Sequence, residues 1–144
     1  MNQAGIDLLK HFEGFCPAAY PDPATGGEPY TIGYGFTVGV ELGDTITRED
    51  AEIRLKFEVA AFESGVSKLC KRTTNPNQLA AMVCLAYNIG LGNFASSTTL
   101  RRHNNSEFFA AANAFLLWNK AAGHVMQGLI NRREAERSLY LATS

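Results

Sequence analysis

The chain has 144 residues, 46% of them hydrophobic, and a net charge of −1; it can bury roughly two-thirds of its unfolded surface in one domain, which excludes a disordered segment. No apolar run approaches the ~18 residues of a membrane-spanning helix, and Met1-Asn2-Gln3-Ala4-Gly5-Ile6-Asp7 lacks the basic start and apolar stretch of a secretory leader, so the reading is a soluble protein, cytoplasmic at synthesis. Residues 1–70 carry 5 Lys/Arg against 11 Asp/Glu and residues 71–144 carry 8 against 3, which suits either a basic face for an anionic partner or two oppositely charged halves packed together.

Asn2 is placed to cap a first helix in which Ile6, Leu8, Leu9 and Phe12 form an apolar stripe, with Gly14 as its stop. Cys16 to Pro29 reads as a turn-rich stretch: prolines surround Asp22, and the pair Gly26-Gly27 follows. From Tyr30 to Val38, β-branched and aromatic residues punctuated by glycine predict short strands of a small antiparallel sheet. Thr47, followed by Glu49 and Asp50, caps a long helix running to about Leu69, with Ile53, Phe57, Ala60 and Ala61 as its apolar face. Asn75-Pro76 opens a helix that is apolar almost all round to Ile89, as a buried helix would be, and Gly90-Leu91-Gly92 ends it. Shorter helices are expected near Ser97–Arg102 and Ser106–Trp118, and a last one near Leu129–Leu141. Helix, small sheet, then helices only is an α+β order.

Glu13 ends the first helix among Phe12, Phe15 and Cys16. A negative helix end and apolar neighbours both disfavour carboxylate charge, as a general acid near neutral pH requires. Asp22 lies nine residues on, in a polar turn that suits an ionised carboxylate. Such a divergent pair is the pattern of glycoside hydrolysis. Glu28 competes for the second role. Cys16, Cys70 and Cys84 are an odd count at wide spacing, without a disulfide or metal-ligand pattern, and read as reduced, partly buried thiols. His11, His103 and His124 are too scattered to hold a metal, and none is expected. Trp118 reads as core. Arg132, Arg133 and Arg137, with Glu134 and Glu136 between them, read as a solvated, ion-paired helix face.

His11-Phe12-Glu13-Gly14, Ala19-Tyr20-Pro21-Asp22 and Tyr30-Thr31-Ile32-Gly33-Tyr34-Gly35 together resemble the catalytic region of the phage-type lysozymes, glycoside hydrolase family 24. Ala86-Tyr87-Asn88-Ile89-Gly90-Leu91-Gly92-Asn93-Phe94 is similar to the family's buried helix and following turn. Phe115-Leu116-Leu117-Trp118-Asn119-Lys120-Ala121 and Gly128-Leu129-Ile130-Asn131-Arg132-Arg133-Glu134-Ala135-Glu136 are similar to its C-terminal signature. The resemblance covers nearly the whole chain. The loop through Gly26-Gly27-Glu28 is longer than in the shortest members, and Phe36 stands where the family commonly has His.

This resemblance implies a lysozyme-like α+β domain spanning residues 1–144, with a sheet-bearing lobe over about 14–60, a helical lobe over about 1–13 and 61–144, and a cleft between them. It implies a muramidase of the lysis type, without a cofactor, acting on bacterial peptidoglycan strands after the inner membrane is breached. Glu13 would be the acid, and Asp22 and Thr31 would hold the attacking water. Tyr20, Tyr34, Phe36, Asn119 and Arg133 are expected substrate contacts, with Phe36 packing across the cleft. The expected state is a monomer with no nucleic-acid partner and no stable membrane association. The rival readings are a lytic transglycosylase, which needs one catalytic acid and leaves an anhydro sugar, and a non-catalytic wall-binding module or decayed lysozyme.

Overall fold

Residues 1–143 are described by a computed structural model. Helix α1 (Gln3–Glu13) begins as its cap predicts: Asn2 Oδ1 accepts the Gly5 N–H at 3.0 Å. It stops at Gly14, whose φ of +68° is reached without a Cβ penalty. Strand β1 (Cys16–Tyr20) pairs antiparallel with β2 (Thr31–Gly33), Cys16 opposite Gly33 and Tyr20 opposite Thr31, with an irregularity between. The expectation of turns throughout Cys16–Pro29 is therefore corrected over its first five residues. Cys-Pro-Ala-Ala-Tyr carries little intrinsic strand signal, and pairing on both sides makes it a strand. On the edge away from β2, the Ala19 N–H donates to the Asp44 carbonyl and the Ile46 N–H to the Pro17 carbonyl.

Helix α2 (Arg48–Leu69) starts with Thr47 Oγ1 accepting the Asp50 N–H at 3.1 Å. Its expected apolar face is also corrected. Ala51, Leu55, Val59 and Val66 are buried, whereas Ile53 is 52% and Phe57 75% exposed. Both sets repeat at helical spacing, so periodicity alone does not choose between them.

The chain forms two compact units whose boundaries fall within α1 and α2: Lys10–Glu58, and Met1–Leu9 together with the chain from Val59 on. The second of these is built round α3 (Pro76–Ile89), which opens with a reciprocal capping box between Asn75 and Gln78 and buries every residue from Ala80 to Ala86. Gly5 lets α1 approach α3, since a Cβ there would lie 2.8 Å from that of Ala80. A short α4 (Leu91–Ala95) follows where only a helix stop was expected. Next come α5 (Thr98–Asn104), capped by Ser97, α6 (Phe108–Ala114) and a 3-10 turn (Phe115–Leu117). A hairpin of β3 (Lys120–Ala121) and β4 (His124–Val125), unforeseen because each strand has two residues, leads into α7 (Gln127–Leu141).

Two buried polar clusters tie this unit together. His103 is wholly buried, with Nδ1 2.6 Å from the Tyr140 hydroxyl and Nε2 2.8 Å from Thr74 Oγ1. The Thr74 hydroxyl donates to the Arg72 carbonyl, so it accepts from Nε2–H, and Nδ1 accepts from Tyr140. On α7, Arg132, Arg133 and Glu136 are buried rather than solvated as the charge spacing predicted. Glu136 Oε2 accepts from Arg132 Nε at 3.1 Å and from Arg133 Nη2 at 3.0 Å. Arg132 also donates to the Cys84 carbonyl at 3.1 Å. Partners on two other segments permit the burial of these charges. Cys16, Cys70 and Cys84 are free thiols. Among the described residues, no helix is long and apolar enough to cross a membrane.

Candidate active site

The Lys10–Glu58 unit holds Glu13, Asp22 and Thr31 together. Glu13, the last residue of α1, is half-buried, and its carboxylate lies against the backbone of Gly35. A Cβ built on Gly35 would collide with Glu13 Oε1, and Gly35 has a φ of +81°. Glycine is required there twice over, for the left-handed backbone and for the carboxylate's space. The turn presenting Gly35 is closed by two hydrogen bonds of 2.9 Å exchanged between Ile32 and Phe36.

Asp22 occupies a self-braced loop just beyond β1. Its N–H donates to the Gly27 carbonyl at 2.9 Å, and its carbonyl accepts the Gly26 N–H at 2.7 Å. Its carboxylate accepts the Ala24 N–H at 3.2 Å and meets the Thr25 hydroxyl at 3.5 Å. This is an Asx-type arrangement, in which a short side chain substitutes for a backbone turn. Thr31 opens β2 opposite Tyr20, so strand pairing brings Thr31 close to the residues leading into Asp22.

Behind these groups the unit packs an aromatic row. The rings of Phe15 and Tyr34 are 5.5 Å apart and those of Tyr34 and Phe36 6.4 Å. The Arg48 guanidinium lies 4.5 Å from the Phe15 ring and that of Arg54 4.7 Å from the Phe36 ring. Arg54 also donates to the Val38 carbonyl at 2.9 Å. The Tyr34 hydroxyl donates to Glu52 at 3.1 Å, and the Lys10 ammonium meets the same carboxylate at 2.6 Å. That contact holds the Glu52 carboxyl below its usual range.

The expected substrate contacts divide. Tyr20 is 39% exposed and Asn119 is half-buried at the start of the β3–β4 hairpin, where its carbonyl accepts the Met126 N–H at 3.0 Å. Tyr34, Phe36 and Arg133 are buried and make interior contacts. Phe36 fills the space above Gly33 and beneath Arg54. Arg133 binds Glu136, Asn88 Oδ1 at 2.9 Å and the Trp118 carbonyl at 3.3 Å, so it braces the segment that carries Asn119. Among the described residues, no group of three or more His, Cys, Asp or Glu is placed to hold a metal ion.

The family model "Phage lysozyme" matches residues 10–136. The chain belongs to the phage lysozyme family. It is 46% identical to the endolysin of Bacillus phage B103 over 98% of its own length and 54% of that protein's, so it spans about half of that relative. It is 42% identical to the endolysin of Salmonella phage P22, covering 96% of this chain and 95% of that one. Its fold is similar to the muramidase domain of SpmX from Asticaccaulis excentricus, with a TM-score of 0.90, 35% identity, and coverage of 99% and 97%.

Within this phage lysozyme chain, sequence reasoning missed three contributors to the candidate site. Lys10 and Glu52 belong to helices distant in sequence and meet directly at 2.6 Å, with the Tyr34 hydroxyl on the same carboxylate. Thr25 carries no motif signal, and its role at Asp22 comes from the loop's closure. Gly35 was legible as part of Tyr-Thr-Ile-Gly-Tyr-Gly, but its clearance for Glu13 was not.

Proposed function

We propose that this chain is a peptidoglycan-cleaving lysozyme domain that hydrolyses the β-1,4 bond between N-acetylmuramic acid and N-acetylglucosamine. The observation that carries the reading is the Glu13 carboxylate seated on the Gly35 backbone, in the same compact unit as Asp22 and Thr31, in a chain whose relatives are endolysins. Glu13 donates a proton to the glycosidic oxygen as the bond breaks through an oxocarbenium-like state. Asp22 and Thr31 hold a water for attack at the sugar carbon. Asp22 is preferred to Glu28 as the second carboxylate because its loop braces it through the Ala24 N–H and the Thr25 hydroxyl. Tyr20 and Asn119 contact the glycan. Residues 1–144 act as one functional domain, monomeric and without a cofactor, reaching the wall from the host cytoplasm after membrane breach.

Mass spectrometry of digested peptidoglycan tests this. New reducing muramic acid ends are expected; anhydro ends would assign the chain to the lytic transglycosylases, and no new ends would make it a binder or an inactive relative. Glu13→Gln is expected to abolish turnover while keeping the fold, and Asp22→Asn to impair it severely. Severe loss in Glu28→Gln with an active Asp22→Asn would exchange the two carboxylates' roles.

A further inference from the structure

Beside the Asp22 loop, a cavity of about 430 Å³ is lined by Glu28, Pro29, Tyr30, Thr37 and Val40. Its volume falls among small-ligand sites. Glu28, Pro29 and Tyr30 lead directly into Thr31, and the Thr25 hydroxyl, which also meets the Asp22 carboxylate, donates to the Glu28 carbonyl at 3.2 Å. A ligand in this cavity would therefore sit next to glycan held by the candidate active site. The lining is chemically lopsided. Glu28 is the one lining residue charged at neutral pH, its side chain is exposed, and it has no ion-pair partner among the described residues. Pro29 and Val40 are apolar, Tyr30 adds an aromatic ring, and Thr37 a hydroxyl. An anion is repelled by such a lining. A neutral sugar uses the ring and hydroxyl but leaves the charge uncompensated. An alkylammonium arm uses every part: methylenes against Pro29 and Val40, and a cation for the Glu28 carboxylate and the Tyr30 ring.

We propose that this cavity binds the free side-chain ammonium of the diamino acid in the peptide stem of peptidoglycan, with Glu28 as its counter-ion. The assignment rests on the reading of the chain as a lysozyme. It makes Glu28 a specificity residue that selects strands by their stems.

The test is binding of a disaccharide–peptide too short to be cut, with the diamino side-chain amine either free or acetylated, followed by amide NMR shifts at Tyr30, Thr37 and Val40. The wild-type chain is expected to bind the free-amine form about fivefold more tightly than the acetylated one, the scale of an exposed ion pair. Glu28→Gln is expected to bind both forms alike at the weaker affinity. Equal wild-type affinities, or shifts absent from these residues, would overturn the proposal. So would a free polyamine competing as well as the peptide, because the cavity would then recognise any alkylammonium. Discrimination without glycan cleavage would refute the lysozyme reading and leave the cavity's preference standing; cleavage without discrimination would refute the cavity assignment alone.

Discussion

Gly35 and Gly39 separate two reasons for a glycine. Both have left-handed backbones, with φ of +81° and +74°, but a Cβ on Gly35 strikes the Glu13 carboxylate whereas one on Gly39 meets nothing within 4 Å. Either Gly→Ala change should cost on the order of 1–3 kcal/mol of stability from backbone strain. Only Gly35→Ala should also displace Glu13, the proposed acid, and displacement of a reacting group by about 1 Å costs roughly 10²-fold in rate. Melting temperatures and kcat on purified peptidoglycan distinguish the two variants. If both lose activity alike, the Glu13–Gly35 contact has no special role.

Among the elements, α7 departs most from its sequence pattern. Arg132, Arg133, Glu134, Glu136 and Arg137 look like surface charges, yet the first two and Glu136 are buried in one cluster. Desolvation pushes the Glu136 carboxyl up and the Arg133 guanidinium down, while their mutual attraction opposes both shifts. Removing the carboxylate would leave two buried guanidiniums short of an acceptor. Glu136→Ala should therefore cost about 3–5 kcal/mol in urea unfolding. Arg137→Ala, whose half-buried side chain donates to Asn113 at the surface, should change stability by about 0.5 kcal/mol or less. Comparable losses in the two variants would show that the buried cluster has no special importance. Arg133 also grips the Trp118 carbonyl, so packing of α7 reaches the hairpin segment carrying Asn119.

For the molecule as a whole, His103 links stability to pH. It joins α5 to Tyr140 of α7 and to Thr74 of the α2–α3 connection. Burial, followed by the charge of Arg72, lowers its pKa. A base whose folded pKa is depressed favours the fold while neutral. Its contribution is fully present above the unfolded pKa of about 6.5 and is lost as pH falls from there towards the folded pKa. Unfolding free energy should decline on acidification below about pH 6.5, and His103→Gln should flatten that decline. An equally steep decline in the variant would place the acid sensitivity elsewhere.

How much of this was legible depended on whether the signal was local. The caps at Asn2, Thr47 and Asn75, the stop at Gly14 and the all-apolar run of α3 are written within a few neighbouring residues, because helix ends satisfy their own backbone groups locally. The motifs holding Glu13, Asp22 and Thr31 are short enough to read in the same way. By itself, then, the sequence determined the helix-rich α+β order, the phage lysozyme family and the candidate acid. Tertiary structure alone decided which stripe of α2 is buried, that Cys16–Tyr20 is a strand, that Phe36 and Arg133 are interior groups and that Gly35 makes room for Glu13. Each of those depends on a partner distant in sequence. A side chain's burial is set by what packs against it, which the residue's own type and spacing do not specify.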